Sequence, residues 1–213
     1  MINAYGFGFT RKEKITQPLI DSLLRFVGFK KVRLDNRKLV KEMPQVMLDF
    51  NAIAQGYTVD VLSSFLESRG ISNYLVEVGG ELRAKGKKED DSYWIVGIEQ
   101  PEENNADRAS LNNILIKIKE KSLATSGNYK KFYIEDGKKY AHIINPFTGY
   151  PAMHNLLSAT VIAGNCMTAD AYATAFMVMG LDKAKQFLTD NKNLGLEAVS
   201  YTHLDVYKRQ VKG

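Results

Sequence analysis

Asn73-Tyr-Leu-Val-Glu-Val-Gly-Gly-Glu-Leu-Arg-Ala84 reads as two strands, 73–78 and 81–84, joined by a glycine pair. Gly79 and Gly80 suit either a tight turn or the close approach of a ligand to the backbone, and the turn is the simpler expectation. No helix lies between the two strands, so they pair antiparallel. Outward from this hairpin the pattern continues, with strand character at 93–99, 114–119, 131–135, 139–144 and 158–163. Helical spacing marks 18–27, 52–68 (Ile53, Val59, Leu62, Phe65 and Leu66 on one face), 167–179 and 181–190, with Gly180 parting the last two. Residues 30–42 form a hairpin around Asp35-Asn36-Arg37, and 46–48 is a short strand that delivers Asp49 at its end. Consecutive strands without intervening helices predict an α+β fold, a mostly antiparallel sheet with packed helices rather than a doubly wound parallel one. The polar stretch 101–113 is the one loop of length.

At 213 residues and 45% hydrophobic content the chain buries one sizeable core, with room for two lobes. The formal charge is +5, but Lys and Arg fall in short groups interleaved with acids. That describes a solvated surface and not a nucleic-acid footprint. No apolar run reaches 18 residues, so nothing reads as a membrane-spanning helix. The single Cys166 excludes an internal disulfide and a cysteine-rich zinc site. The residues after Met1 lack the basic start, apolar stretch and small-residue cleavage site of a secretory signal.

Chemistry-bearing residues cluster in a few segments. In Cys166-Met-Thr-Ala-Asp-Ala-Tyr-Ala-Thr-Ala-Phe-Met-Val-Met-Gly180, Asp170 and Thr174 stand four apart and share one helical face. Alanines at 169, 171, 173 and 175 leave that face open to a hard cation, Mg²⁺ first. The competing reading makes Thr174 a tolerated helix residue and Asp170 a first-turn acid favoured by the helix dipole. Leu48-Asp-Phe-Asn-Ala-Ile-Ala-Gln-Gly-Tyr57 runs from a strand end into a helix start, either aiming backbone N–H groups and a carboxylate at a ligand or simply capping the helix with Asp49 or Asn51. Ser126 in Thr125-Ser-Gly127 has no G-x-S-x-G elbow, so acyl transfer is set aside. His142 opens His142-Ile-Ile-Asn-Pro-Phe-Thr-Gly149 at a strand rim, where it could act as base or donor or serve a structural part. His154 makes no metal-ligand spacing with it. Gly6-Phe-Gly8 fails the dinucleotide pattern.

Taken in order, Leu48-Asp-Phe-Asn-Ala-Ile-Ala-Gln-Gly-Tyr57, Val78-Gly-Gly-Glu81, Thr125-Ser-Gly-Asn-Tyr129, His142-Ile-Ile-Asn-Pro-Phe-Thr-Gly149 and Ala169-Asp-Ala-Tyr-Ala-Thr-Ala175 resemble the ApbE family of FAD:protein FMN transferases. The resemblance runs from about Asn3 to Ala198. It implies a T-fold-like α+β architecture and Mg²⁺-dependent transfer of FMN from FAD to a Thr or Ser hydroxyl of a partner redox protein, with AMP released. By resemblance, Asp170, Thr174 and the backbone carbonyl of Ala52 hold Mg²⁺, Asp49 and Gln55 touch FAD with the Gly79-Gly80 pair, and Ile144 lines the nucleotide pocket. His142 is then the expected proton acceptor, or a donor to the phosphoryl group. A metal-dependent FAD pyrophosphatase giving FMN and AMP, or a non-catalytic flavin-binding protein, are the alternatives. A periplasmic or lipid-anchored location is implied by the resemblance alone.

Two departures qualify it. Many members carry Lys or Glu where this chain has Gln55, which reduces that position to hydrogen bonding. The match also begins within the family's pattern, so an N-terminal portion with any export or anchor signal is expected to lie outside residues 1–198. The tail 199–213 departs from the family's closing strands and looks like a read-through string from sequencing adapters. It is expected to pack poorly, and His203 is given no role.

Overall fold

The computed structural model describes residues 1–8, 12–99, 114–128, 132–135, 138–202 and 206–209. In chain order the helices and strands are α1 (Gln17–Leu24), β1 (Val32–Asp35), β2 (Lys38–Lys41), α2 (Ala54–Ser68), β3 (Tyr74–Val78) and β4 (Glu81–Lys85). There follow β5 (Trp94–Ile98), β6 (Ile114–Ile118), β7 (Lys121–Gly127), β8 (Phe132–Glu135) and β9 (Lys138–Ala141). The last are β10 (Leu156–Ala163), α3 (Cys166–Met179), α4 (Leu181–Asp190), β11 (Glu197–Thr202) and β12 (Val206–Arg209). The expected loop 101–113 lies outside the described residues.

The chain divides into two units, residues 1–49 with 131–153 and residues 50–130 with 154–213. In the first, Thr16 caps α1 by accepting the Leu19 N–H, and Ile20 is buried. The β1–β2 hairpin forms in the expected place, with Asn36 and Arg37 both at positive φ in the two-residue turn that the strand twist favours. Residues 46–48 form no strand. Val46 is buried but Met47 is 74% exposed, so there is no sheet edge there for alternate side chains to address. Beyond the β8–β9 hairpin, an Ile144–Pro151 bridge closes the Asn-Pro-Phe-Thr-Gly turn. Asn145 stiffens it by accepting the Phe147 N–H at its side chain and the Gly149 N–H at its carbonyl.

The second unit is built on a six-stranded sheet in the order β12-β11-β10-β7-β4-β3, every neighbouring pair antiparallel, as an α+β fold requires. β7 sits near the middle of that order, although Lys-Ser-Leu-Ala-Thr-Ser-Gly carries almost no hydrophobic alternation to mark a strand. The reason is packing on both faces. Ser122, Ala124 and Ser126 stand opposite Ala163, Val161 and Ala159 of β10, a floor of small side chains on which α3 lies through its fully buried Ala169 and Ala173. On the other face Leu82, Ala84, Leu123, Ile162 and Tyr201 join Ile98 and Ile118 of the β5–β6 hairpin in one cluster.

Two further expectations change. α2 buries Val59 of the expected face together with Gly56 and Ser63; Ile53 and Leu66 are half-buried, and Leu62 and Phe65 are exposed, Phe65 to 54%. Small residues are what permit the close approach of α2 to α3. Two of the four alanines of α3, Ala169 and Ala173, serve the same purpose and are fully buried, while Ala171 and Ala175 beside Thr174 are half-buried. Residues 199–202, expected to pack poorly, belong to β11, which pairs with β10 and buries Tyr201 in the hydrophobic cluster.

Candidate functional site

α2 and α3 are tied to each other by carboxylates at their N-terminal turns. Asn165 caps α3 by accepting the Thr168 N–H (2.8 Å). Asp60 of α2 adds two acceptors, Oδ1 for the Cys166 N–H (2.8 Å) and Oδ2 for the Met167 N–H (2.9 Å). Negative charge there meets the positive end of the helix dipole. One turn along α3, Asp170 returns the tie, its Oδ2 accepting the Gly56 N–H from the first turn of α2 (3.0 Å). Neither Asp49 nor Asn51 caps α2: the preceding residue is Ile53, and no side-chain cap is made. In a regular turn the Gly56 N–H would be given to the carbonyl of Ala52, four residues back. It goes to Asp170 instead, and the Ala52 carbonyl has no donor from that position.

A Cβ on Gly56 would fall on the Cys166 carbonyl and on Cβ of Asp170, so glycine is required for this approach. Asp170 is 6% exposed, and burial raises its carboxyl above the ordinary range while the Gly56 N–H pulls it back down. Thr174 shares a hydrogen bond with Ser126 Oγ on β7 (3.0 Å), which fixes where its hydroxyl lies. Ser126, set aside as a nucleophile, is thus a support for Thr174. Gly79 and Gly80 form the expected turn, with φ of +66° and +109°, and the amide of Gln55 lies where a Cβ on Gly79 would go. Glu81, immediately after the turn, closes the Val78-Gly-Gly-Glu81 segment and is given no role of its own by the sequence. It is equally buried, and desolvation first, then the charge of Asp170, raises its carboxyl to about 7. The signal was a carboxylate directly after a glycine pair at a strand start.

Ala52, Gln55, Gly79, Gly80, Asp170 and Thr174 therefore belong to one unit of the fold. Asp49, His142 and Ile144 belong to the other. There His142 is half-buried with its ring edge-on to Phe7, centroids 6.2 Å apart, and Ile144 holds the bridge to Pro151. His154 is a fastening: one ring nitrogen accepts the Leu156 N–H and the other meets the Met177 carbonyl, joining the start of β10 to the end of α3. Burial pushes the Cys166 thiol up, away from nucleophilic duty.

The donors around Asp170 are all oxygens, a set that fits Mg²⁺ and not a thiophilic metal. Among the described residues no group of three or more His, Cys, Asp and Glu could enclose a metal. A cation here would draw the rest of its shell from substrate oxygens and water, the usual habit of Mg²⁺.

Known proteins resemble this chain in sequence and in fold. The FAD:protein FMN transferase of Haemophilus influenzae is 38% identical over 209 residues, covering 95% of this chain and 59% of that protein. The enzyme of that name from Vibrio cholerae is 37% identical over 185 residues, covering 86% of this chain and 54% of its own. The chain thus spans little more than half the length of these relatives. Among solved structures, the flavin transferase ApbE from Vibrio cholerae superposes with a TM-score of 0.81 at 32% identity, covering 96% of this chain and 63% of that one. The ApbE protein of Thermotoga maritima gives 0.85 at 28% identity, covering 99% and 67%. The ApbE family model matches residues 1–199, and the chain belongs to that family.

Proposed function

We propose that this chain carries the site at which FMN is moved from FAD to a Thr or Ser hydroxyl of a partner redox protein, in a Mg²⁺-dependent reaction that releases AMP. The observation that supports it most is Asp170: a buried carboxylate with one oxygen committed to the start of α2 and a fixed hydroxyl, Thr174, one turn further on. The relatives carry the name of this reaction.

Asp170, Thr174 and the Ala52 carbonyl would hold Mg²⁺, which when bound supplies positive charge to the pyrophosphate oxygens of FAD. The rest falls to the chain. Gly56 and Ser126 keep the two side-chain ligands in place. The neutral Gln55 amide hydrogen-bonds FAD beside the Gly79-Gly80 turn, where the missing side chain of Gly79 leaves room for that amide; in the other unit, Asp49 and Ile144 are the residues that the family resemblance makes FAD-contacting. His142 takes the proton of the acceptor hydroxyl as that oxygen bonds to the FMN phosphorus. The bond from this phosphorus to the bridging oxygen breaks, and its electron pair leaves with AMP. The same reading sets the protein facing the periplasm, which cell fractionation tests.

Intact-mass analysis of an acceptor domain bearing a flavinylation-type Thr, incubated with the chain, FAD and Mg²⁺, tests the proposal. The expected result is the gain of one FMN with AMP released, abolished in Asp170→Ala. AMP without mass gain makes the chain a pyrophosphatase, and FAD binding without either product makes it a binding module.

A further inference from the structure

Glu81 opens β4, where side chains alternate between the two faces of the sheet. Leu82 and Ala84 enter the hydrophobic cluster, so Glu81 and Arg83 lie on the opposite face, the one that carries α2 and α3. Arg83 confirms this by donating to the Gly164 carbonyl just ahead of α3 (2.6 Å). Glu81 is only 6% exposed, and among the described residues its Oε2 has no hydrogen-bond partner. A carboxylate oxygen buried without a donor is destabilising, and such groups persist where a ligand satisfies them. The direction in which it points is given by Gly79: a Cβ built there would lie 3.6 Å from Glu81 Oε2 and against the Gln55 amide. Oε2 is therefore turned toward the start of α2, the same turn that Asp170 grips through Gly56. Asp170 and Glu81 are thus both buried carboxylates directed at the first turn of α2.

We propose that Glu81 is a further oxygen ligand of the cation held by Asp170 and Thr174, contributing Oε2. The inference rests on the cation reading above. A neutral donor would satisfy one oxygen but leave two buried carboxylates at the start of α2 without a counter-charge, whereas a divalent cation answers both at once. Two carboxylates, a hydroxyl and a main-chain carbonyl make an oxygen set suited to Mg²⁺ or Mn²⁺.

Mn²⁺ titration followed by its electron paramagnetic resonance, with metal-free thermal melts alongside, tests this on the chain and on Glu81→Gln and Asp170→Asn. Glu81→Gln should weaken Mn²⁺ binding by roughly tenfold or more, the range over which groups at metal sites act. Its metal-free Tm should equal or exceed the parent's, because the substitution removes an unsatisfied charge; a merely structural Glu81 would lower that Tm and leave Mn²⁺ affinity alone. Parental affinity in Glu81→Gln together with loss of binding in Asp170→Asn overturns the role of Glu81 and keeps the cation site. A parent chain that binds no Mn²⁺ overturns both. Should Glu81→Gln not fold, anomalous scattering from Mn²⁺ in parent crystals decides: an ion coordinated by Glu81 Oε2 upholds the proposal, and one on Asp170 and Thr174 beyond its reach defeats it.

Discussion

Gly56 shows how much can depend on one hydrogen in place of a methyl group. Its N–H holds Asp170, and its missing side chain admits the Cys166 carbonyl. Gly56→Ala should cost about 1–3 kcal/mol by overpacking, visible as a lower urea midpoint with an unchanged m-value. Glu81 makes a different demand. Its carboxyl is raised from 4.5 in the unfolded chain to about 7 in the fold, so the folded state binds the proton more tightly. Stability is therefore withdrawn as pH rises through that window, by up to roughly 3 kcal/mol. Asp170 slopes the same way, and the difference between parent and Glu81→Gln in chelator, measured by denaturation below and above the window, isolates Glu81. The difference should favour the variant at the upper end. At this scale the Asp170–Thr174 pair was legible because i and i+4 on a helix are neighbours whatever the fold. Glu81, Asp60 and Ser126 were not, since each reaches the site only when a different strand or helix is docked.

Among the elements, α3 depends on a cap borrowed from α2. Removing both acceptors in Asp60→Ala should destabilise by roughly 1–3 kcal/mol, whereas Asp60→Asn, which keeps one acceptor, should lose less; chemical denaturation of the two variants measures the gap. Ser126→Ala should leave the fold intact and weaken Mg²⁺ binding a few-fold by freeing the Thr174 hydroxyl, as isothermal titration would record. The helices and hairpins were legible from periodicity and turn residues, including the Gly79-Gly80 turn; the first hairpin's turn is one residue shorter than Asp35-Asn36-Arg37, because Asp35 belongs to β1. The failures share a cause. The inner face of β7 (Ser122, Ala124, Ser126) and the buried face of α2 (Gly56, Val59, Ser63) are built largely of small residues that let a neighbouring element approach, and small residues carry little hydrophobic pattern. Conversely Phe65 and Met47 looked like core and are exposed.

For the whole molecule, the expected ligand effect is on global stability. FAD with Mg²⁺ should raise the Tm of the chain, EDTA should cancel the gain, and Asp170→Ala should show none, because only ligands that prefer the folded state shift the unfolding equilibrium. Antiparallel architecture could be read from strands that follow one another without helices. The order β12-β11-β10-β7-β4-β3 could not, because it joins β4 to β7 across the inserted β5–β6 hairpin. One consequence follows from the hydrogen bond between Gly56 and Asp170. The same carboxylate that would take the cation already holds a single backbone proton, so drawing its electrons toward metal must be felt at that amide. In a nitrogen-15 spectrum the Gly56 resonance would then act as a native gauge of occupancy, moving as the ion loads and needing no label beyond the isotope.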